Sequence, residues 1–527
     1  MFLPAGAYLE YKYTLGDGFW NSEFNTIGQY VTRQITVPNQ NISINDEVQS
    51  WQAGPNAPIL FEVTAPPNTP AGDLIYIQFN PYGWTQPIPM WPQGNNRWAY
   101  KLYGPLNIIG SFTYRYCRNA QCGSADDAFT AGDAAHGRNV SPTLAAQDIQ
   151  DTVNQWAWRQ DIGNATLVQT DIPARGTGFV AGVEFQSFYE PNLPTFTPYA
   201  LQNIKAFNGN WVIYDPTWSF AGSNPLIFTQ QPGKDPFWSD TTSGIAYARA
   251  LNMNVALFPQ PRFPTNANDF WKNAPRDSGW WDNWFNHYRA FAINFADMAT
   301  KAEAQSIILG GEWIAPALPS GKLADGNPSG VPADAETRWK NIVAEVRQHY
   351  RGLVLFAIPY NNIIDVVPPI NLLKDTDGIY LLWYAKLGDQ ANLSVGAMTE
   401  EAGRLLDNNV FPVQSQTGKP VIIGISYPSA TNSATACIPN GSNGCLDWTA
   451  LNRPNPDVGT ATLNLQQQMD IYDAMFHAIN GRSWVSGLVS RGYYPPVELQ
   501  DKSASIHGKP AANLLWYWFP RLLGNVK

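Results

Sequence analysis

The spacing of hydrophobic residues changes near residue 165. Before that point, apolar and polar residues alternate over short stretches such as Pro58–Val63 and Leu74–Phe79, which is typical of half-buried strands. After it, continuous apolar runs are separated by segments with helical spacing. The pattern therefore predicts β-sheet modules in the N-terminal third and an alternating strand–helix domain in the rest of the chain.

The strand–helix alternation favours a (β/α)₈ TIM barrel over residues 165–527, since it provides eight strand candidates. A doubly wound sheet would have fewer strands and a Gly-x-Gly-x-x-Gly turn, which the sequence lacks. The clearest helices are expected over 284–304, 335–350, 463–479 and 510–523. The predicted strands are 179–184, 211–215, 254–259, 306–312, 353–358, 378–383, 421–427 and 484–490.

The N-terminal third contains an internal repeat. Both copies begin with a Tyr-Lys/Arg-Tyr strand, at residues 11–13 and 114–116. Both end in Ile-x-Asp-x-Val-x-x-Trp, at residues 44–51 and 149–156. So specific a shared ending indicates two related β modules.

Further strand-like sequence precedes only the second copy. We therefore expect a complete β-sandwich over 56–160 and half of another over 1–55, whose open edge needs cover. The order Tyr-Lys-Tyr, Asp-Gly, Trp and then Arg33 resembles starch-binding and glycogen-binding modules. That resemblance implies that exposed tryptophans hold the glycan, and the candidates are Trp20, Trp84 and Trp91.

The composition points to carbohydrate rather than to nucleic acid or membrane. The chain has 21 Trp, 24 Tyr and 25 Phe with only 14% charged residues, and flat aromatic faces stack on the apolar faces of sugar rings. Its formal net charge is −9 and no Lys/Arg-rich block is present, which argues against nucleic-acid binding. No apolar run is long enough to span a membrane. The oligomeric state is not predicted.

The four cysteines form two close pairs, Cys117/Cys122 and Cys437/Cys445. Their spacing is not that of a zinc site, so we expect disulfides; each pair could close a small loop, although four cysteines allow three connectivities. Neither a metal nor an organic cofactor is expected. Disulfides persist in oxidising compartments, which predicts a secreted or extracellular protein. Residues 1–13 lack a signal-peptide pattern, so an export signal is expected to have been removed or to lie upstream.

Carboxylates follow several of the predicted strands. Active sites of (β/α)₈ barrels lie at the C-terminal strand ends, and glycosidic bond cleavage uses two carboxylates. Glu312 is the best proton donor, because Gly310 and Gly311 permit close approach and Trp313 can raise its pKa by desolvation. The candidates for the second carboxylate are Glu184, Asp377 and Asp215. Residues expected to bind sugar are Trp218, Trp281, Trp313, Trp383, Tyr384, Tyr427 and Arg491.

Short motifs within 178–523 resemble glycoside hydrolase family 113, a family in the large clan of β-mannanases and cellulases. They are Trp-Trp-Asp-Asn-Trp at 280–284, Leu-Gly-Gly-Glu-Trp at 309–313, Lys-Pro-Val-Ile-Ile at 419–423 and His-Gly-Lys-Pro-Ala at 507–511. The resemblance implies a retaining (β/α)₈ enzyme in which Glu312 is the general acid/base.

One departure from that family affects the mechanism. The resemblance implies a nucleophilic Glu near the end of strand seven, where this chain has Gly424. Three explanations are open: another carboxylate has taken over, the barrel only binds glycans, or a group of the substrate acts as nucleophile. Within the first explanation, Glu184 is preferred over Asp377 and Asp215 as the second carboxylate. A wider separation between the two carboxyl groups would allow an inverting mechanism.

The sequence therefore predicts a glycoside hydrolase acting on a polysaccharide or oligosaccharide, with β-mannan or β-glucan favoured. The alternative is a non-catalytic glycan-binding protein that has lost the strand-seven nucleophile. An acyl hydrolase is disfavoured, because no Gly-x-Ser-x-Gly motif is present.

Overall fold

A computed structural model defines the architecture, which falls into two compact units. The first contains Met1–Gly163 with Pro496–Gln500, and the second contains Asn164–Pro495 with Asp501–Lys527. The residues described are 5–14, 22–52, 57–69, 72–81, 83–85, 87–103, 110–120, 122, 127–128, 137–156, 170–191, 193–360, 368–390, 392–440, 444–446, 448–451, 461–497 and 501–525.

The first unit is built from short strands. They are β1 (Tyr8–Tyr11), β2 (Glu23–Phe24), β3 (Arg33–Thr36), β4 (Ser50–Trp51), β5 (Ile59–Thr64), β6 (Ile75–Asn80), β7 (Ile88–Pro89), β8 (Trp91–Gly94), β9 (Arg97–Leu102), β10 (Phe112–Arg118), β11 (Asp127–Ala128), β12 (Arg138–Val140), β13 (Gln147–Thr152) and β14 (Gln155–Trp156).

The second copy of the repeat lies in a β-sandwich. One sheet has the order β12-β10-β6-β7 and the other has the order β13-β5-β9-β8. Alternating side chains of β5 are buried, as the period of a half-buried strand requires. The rings of Phe61 and Tyr114 meet across the core with centroids 4.8 Å apart. Hydrophobic packing between two sheets therefore holds this copy together.

In the first copy, an arginine lies at the centre of a polar cluster. Arg33 contacts Glu23 at 2.7 Å and Asp46 at 2.8 Å. The hydroxyl groups of Tyr11 and Tyr13 donate hydrogen bonds to Asp46 at 2.8 and 3.0 Å. The copy consists of two-stranded sheets, β1 with β3 and β2 with β4, and leaves 38% of Tyr13 exposed.

The second copy repeats this cluster residue for residue. Arg138 contacts Asp127 and, at 2.8 Å, Asp151. Tyr114 and Tyr116 each donate a hydrogen bond of 2.8 Å to Asp151. Both tyrosines are buried here, because the two sheets of the sandwich close over them. The repeat seen in the sequence is therefore a repeat of structure.

The second unit contains a closed eight-stranded parallel barrel. Its barrel strands are β15 (Val180–Phe185), β16 (Trp211–Tyr214), β19 (Asn254–Leu257), β21 (Ser306–Gly310), β22 (Leu353–Tyr360), β23 (Gly378–Trp383), β24 (Val421–Ile425) and β25 (Val485–Tyr493). The strands β17 (Thr217–Ser223), β18 (Leu226–Thr229) and β20 (Gln260–Arg262) form a separate small sheet.

Helices follow most of the barrel strands. The α-helices are α1 (Leu193–Ala206), α2 (Trp238–Ala250), α3 (Ala267–Asn273), α4 (Ser278–Lys301), α5 (Ala335–His349), α6 (Ile370–Lys374), α7 (Val395–Leu405), α8 (Phe411–Thr417), α9 (Leu465–Asn480) and α10 (Ala511–Leu522). Short 3₁₀ helices span Glu312–Ala317, Ser433–Thr435 and Trp448–Leu451, and a π-helical turn spans Leu406–Val410.

Barrel strands are apolar on both faces, which explains their continuous hydrophobic runs. Ile213, Leu355 and Tyr380 belong to the core inside the barrel. Their sequence neighbours Val212 and Val354 belong to the layer between barrel and helices. This alternation decides which residue at each strand end points inward.

The predicted (β/α)₈ barrel is confirmed, and each predicted barrel strand is present to within a few residues. Both predicted disulfides, Cys117–Cys122 and Cys437–Cys445, are formed. Helix α4 begins six residues before its predicted start, at Ser278 rather than 284, because the side chain of Asp277 accepts a hydrogen bond from the backbone N–H of Trp280 and caps it.

Candidate active site

Inward-pointing residues at the C-terminal ends of the barrel strands form one polar cluster. Glu184 lies on β15, Arg491 on β25 and Tyr380 on β23, while Asp215 directly follows β16 and Glu312 begins the 3₁₀ helix after β21. Parallel strands of a closed barrel end on the same face, so side chains distant in sequence meet here.

Arg491 joins the two glutamates. Its Nε lies 2.9 Å from Glu184 Oε1, and its Nη1 lies 2.9 Å from Glu312 Oε1. Since one guanidinium contacts both carboxylates, they lie within the separation of about 5–10 Å that glycosidase pairs use. Glu312 keeps 27% of its side chain exposed and Glu184 only 3%. The cluster therefore has one carboxylate open to solvent and one enclosed.

The enclosed carboxylate is held by more than Arg491. Tyr380 donates a short hydrogen bond to Glu184 Oε2. Burial raises the pKa of Glu184, while Arg491 and the Tyr380 hydrogen bond oppose the rise. Burial raises the pKa of Asp215 well above its ordinary value, and the charge of Glu184 adds to that rise. Burial within the cluster therefore opposes ionisation of both inner carboxyl groups, and Arg491 counteracts it.

Gly424 of β24 lies against the same cluster. A Cβ atom at this position would lie 2.5 Å from the hydroxyl of Tyr380 and 2.6 Å from Cδ of Arg491. Side chains of neighbouring strands therefore fill the space where the family resemblance implies a nucleophilic carboxylate.

Two glycines position Glu312. Gly310 and Gly311 have φ angles of 90° and 136°, a region that other residues rarely adopt. A Cβ on Gly311 would lie 2.9 Å from the ring of Trp313, and one on Gly310 would lie 2.6 Å from the carbonyl oxygen of Ala357. The turn out of β21 thus needs both glycines, and it places Glu312 at the first position of the 3₁₀ helix.

A cleft of about 800 Å³ opens beside Glu312. Segments after the first four barrel strands form its wall, including the small β17-β18-β20 sheet and the loop after the 3₁₀ helix. Phe188, Phe263 and Trp313 contribute aromatic surface, and Gln186 and Gln260 contribute amides. Such a mixture of aromatic faces and hydrogen-bonding groups suits a sugar polymer.

The predicted sugar-binding aromatics lie mostly in the core. Trp313 lines the cleft, but Trp281 packs among other tryptophans of the helix layer and is buried. Trp218 packs against Phe228, Phe291 and Phe295. Trp281 and Trp313 are almost fully buried and Trp218 is half-buried, so these rings contribute mainly to packing.

The aromatics of strands six and seven are also buried. Trp383 donates a hydrogen bond to the hydroxyl of Tyr427, which in turn donates to the carbonyl of Ala385. The ring of Tyr384 packs on that of Tyr427 at 5.3 Å. Tyr380 and Leu382 point into the barrel, so Trp383, the residue after Leu382, points outward to the helices. Arg491, the remaining predicted sugar-binding residue, lies in the polar cluster.

Asp377 lies at the other end of the barrel. It precedes β23, pairs with Arg347 at 3.0 Å and accepts a hydrogen bond of 2.8 Å from the N–H of Val354. Val354 is at the beginning of β22, so this carboxylate is on the face opposite Glu312. The structure thus corrects its placement beside the acid.

Among the tryptophans predicted for the N-terminal modules, Trp84 and Trp91 are 41% and 49% exposed. The guanidinium of Arg115 lies 4.0 Å above the ring of Trp84, and Trp91 stacks on Tyr100. Trp20 lies outside the described residues.

Several cleft residues were missed by the sequence analysis, among them Lys234, Arg262 and Lys322. They lie in loops or short strands beyond the barrel strand ends, whereas the analysis considered mainly the strand ends themselves. The alternating Thr217–Ser223 segment was the available signal, since it forms a strand of the cleft wall.

Within the described part of the chain, no group of three His, Cys, Asp or Glu residues could hold a metal ion. No described helix is both long and apolar enough to cross a membrane.

Comparison with known proteins finds that part of the barrel is similar to glycoside hydrolases. The profile of Glycoside Hydrolase Family 113 matches residues 200–363. A solved family 113 β-1,4-mannanase aligns with a TM-score of 0.50 and 20% identity, covering 65% of this chain and 98% of that one. The β-mannanase AaManA from Alicyclobacillus acidocaldarius aligns at 0.49 and 18%, covering 66% and 99%. No curated protein matches the chain. The resemblance to Glycoside Hydrolase Family 113 noted in the sequence is confirmed over residues 200–363.

Proposed function

We propose that this family 113 glycoside hydrolase barrel cleaves a β-linked glycan with a mannan or glucan backbone, and that Glu312 is its general acid/base. One observation carries the proposal. Among the described residues lining the cleft, Glu312 is the one acid, and it lies at the end of the fourth barrel strand. The solved family 113 structure of similar fold is a β-1,4-mannanase, which favours mannan.

Arg491 would orient the proton donor. Its 2.9 Å contact holds the carboxylate of Glu312 at the edge of the cleft while leaving part of that carboxylate exposed. A glycosidic oxygen lying in the cleft could then receive a proton from Glu312, provided that it approaches within hydrogen-bond distance. Phe188 and Phe263, which line the same cleft and are only half-buried, would supply apolar surface for the sugar.

Glu184 is the proposed second carboxylate. It shares Arg491 with Glu312, and burial raises its pKa, which strengthens it as a base. Because Glu184 is buried, substrate or water has to enter the cluster to reach it. Asp215 lies behind it, and burial raises its pKa as well.

The test is product release from mannans, β-glucans and α-glucans by wild type, Glu312→Gln and Glu184→Gln. Both variants should lose at least about a hundredfold in rate, as expected for removal of a general acid or base. Asp377→Asn, on the opposite face of the barrel, should retain activity and serves as the matched control. The anomeric configuration of the first product distinguishes inversion from retention.

A second candidate is a glycan-binding protein without hydrolysis. The crowding of Tyr380 and Arg491 against Gly424 favours it, because no carboxylate of β24 can act there. Binding of a glycan by wild type and Glu312→Gln alike, without product from either, would establish this candidate and exclude the hydrolase.

Two further expectations are part of the proposal. The disulfides Cys117–Cys122 and Cys437–Cys445 support a secreted or extracellular location. The exposed ring of Trp91 makes the sandwich a candidate glycan-binding module. Slower migration of wild type than of Trp91→Ala in glycan-containing native gels would support the second expectation, and equal migration would contradict it.

A further inference from the structure

The cleft carries positive charge although the chain as a whole is acidic. Lys234, Arg262 and Lys322 line it, and Glu312 is the acid that faces them among the described lining residues. The charge of Glu312 is already paired with Arg491. By contrast, the whole chain has a formal net charge of −9. The cleft thus differs in sign from the average surface.

The three cations come from loops on the active-site face. Lys234 lies between β18 and α2, Arg262 ends β20, and Lys322 follows the 3₁₀ helix that begins at Glu312. Arg262 Nη1 hydrogen-bonds the backbone oxygen of Tyr189 at 2.9 Å and also bonds that of Lys234. These bonds hold Arg262 against the backbone of Lys234 on one wall.

The nearest acid in sequence does not neutralise this wall directly. Asp235 is fully buried, and its carboxylate accepts hydrogen bonds from Thr217 at 2.7 Å and Ser219 at 3.1 Å. The ammonium groups of Lys234 and Lys322 form no ion pair with any described carboxylate. Like charges brought together are unfavourable unless a ligand of opposite charge compensates them.

We propose that the cleft selects a glycan bearing anionic groups, either uronic carboxylates or sulfate esters. This inference rests on the proposed function, since it specifies the substrate class of the same cleft. Lys234 and Lys322 are specificity residues that contact the anionic substituents of the sugar chain, while Glu312 acts on the glycosidic bond. Arg262 contributes charge and fixes the wall.

Exposed charge pairs contribute modestly one by one. Replacing one lysine should weaken binding of an anionic glycan about three- to fivefold, and replacing both should weaken it about tenfold. Salt should remove the same advantage, because the screening length falls from about 30 Å at 0.01 M to about 3 Å at 1 M salt.

The experiment is calorimetric binding of three β-1,4-linked oligosaccharides of equal length to the full chain. One carries glucuronate residues, one carries sulfate esters and one is neutral. All proteins carry Glu312→Gln so that substrate persists, and Lys234→Met, Lys322→Met and the double variant are compared. Lys374→Met is the matched control, since this exposed lysine ends α6 on the opposite face of the barrel. Hydrolysis of the same oligosaccharides is measured with an intact Glu312.

The expected result is tighter binding of one or both anionic chains, lost in the lysine variants and at high salt but retained in Lys374→Met. Preference for only the carboxylate or only the sulfate chain identifies the source of the charge. Equal binding of all three chains, or a preference indifferent to the lysines, overturns the inference. Hydrolysis separates the two proposals. Equal cleavage of all three oligosaccharides would contradict only the charge selectivity of the cleft. Lysine-dependent binding of the anionic oligosaccharides without cleavage would contradict only the proposed hydrolase activity.

Discussion

An arginine joins two carboxylates in both units of the molecule, at Arg138 in the sandwich and at Arg491 in the barrel. In each cluster a tyrosine hydroxyl also donates to one of the carboxylates. The clusters differ in what they leave open. Asp151 keeps 13% of its side chain exposed, whereas Glu312 keeps 27% and borders a cleft.

The difference shows how one chemical arrangement serves two purposes. Around Arg138 the two carboxylates, Asp127 and Asp151, keep only 3% and 13% of their side chains exposed. Around Arg491 the inner carboxylates have raised pKa values, since burial disfavours their charge. An arginine cluster becomes a candidate for chemistry when one of its acids borders open space.

Removing Arg491 should have the largest effect on stability. Arg491→Met leaves Glu184 buried without its cation, which should cost the barrel about 3–5 kcal/mol. Hydrogen exchange of the β15 and β25 peptides in the full chain measures the loss within the barrel. Unchanged protection of these strands would mean that Tyr380 alone supports Glu184.

Removing Arg138 should have a smaller effect, confined to the first unit. Arg138→Met should destabilise the sandwich by about 2–3 kcal/mol, less than for a fully buried pair because this cluster is partly solvated. Exchange of the β10 peptides reports it. Arg33→Met is the matched control in the first copy and should lower protection less, since its cluster is more open. Equal losses in the two copies would contradict a role for burial.

The tyrosine hydroxyls give a finer comparison. Tyr116→Phe removes a hydrogen bond to Asp151 from a buried position and should cost the sandwich about 1 kcal/mol. The equivalent change in the first copy, Tyr13→Phe, should have less effect on β1 and β3, because water replaces the lost donor there. A larger effect of Tyr13→Phe would show that the first copy is more enclosed than its 38% exposure of this residue indicates.

The pH dependence of the barrel and of the first copy should have opposite signs. The hydrogen bond from Arg33 lowers the pKa of Glu23, and that from Tyr11 lowers the pKa of Asp46. Their stabilisation is present above the ordinary carboxyl pKa of about 4 and is lost as pH falls through the lowered values. Glu184 and Asp215 have raised pKa values, so their stabilisation is present below about pH 4 and is lost as pH rises through the raised values.

Hydrogen exchange between about pH 3 and 7, corrected for the intrinsic rates, tests these signs. Protection of β3 should rise with pH, whereas the contribution of Glu184 to protection of β15 should fall. Asp46→Asn and Glu184→Gln should each flatten the slope in their own region. Slopes of the same sign in both wild-type regions would contradict the comparison.

Much of the fold could be predicted because its signal is local. Continuous apolar runs mark parallel strands that are buried on both faces, and the repeated Ile-x-Asp-x-Val-x-x-Trp ending marks the copied module. The meeting of Glu184, Glu312 and Arg491 follows once their strands are known to be parallel.

The rest of the site depends on information that a strand pattern lacks. Trp383 was expected to contact sugar. Because side chains alternate along a strand and Tyr380 and Leu382 point into the barrel, Trp383 points to the helix layer instead. Asp377 was too near its strand's start to reach the catalytic face. Lys234 and Lys322 lie in loops, whose path depends on tertiary contacts and not on hydrophobic period.

The crowding around Gly424 limits what protein engineering can introduce into the barrel. A glutamate placed at this position would meet the hydroxyl of Tyr380 and Cδ of Arg491 with its first side-chain atom. A carboxylate on β24 therefore requires Tyr380 and Arg491 to move, or to be replaced, together with the change at position 424.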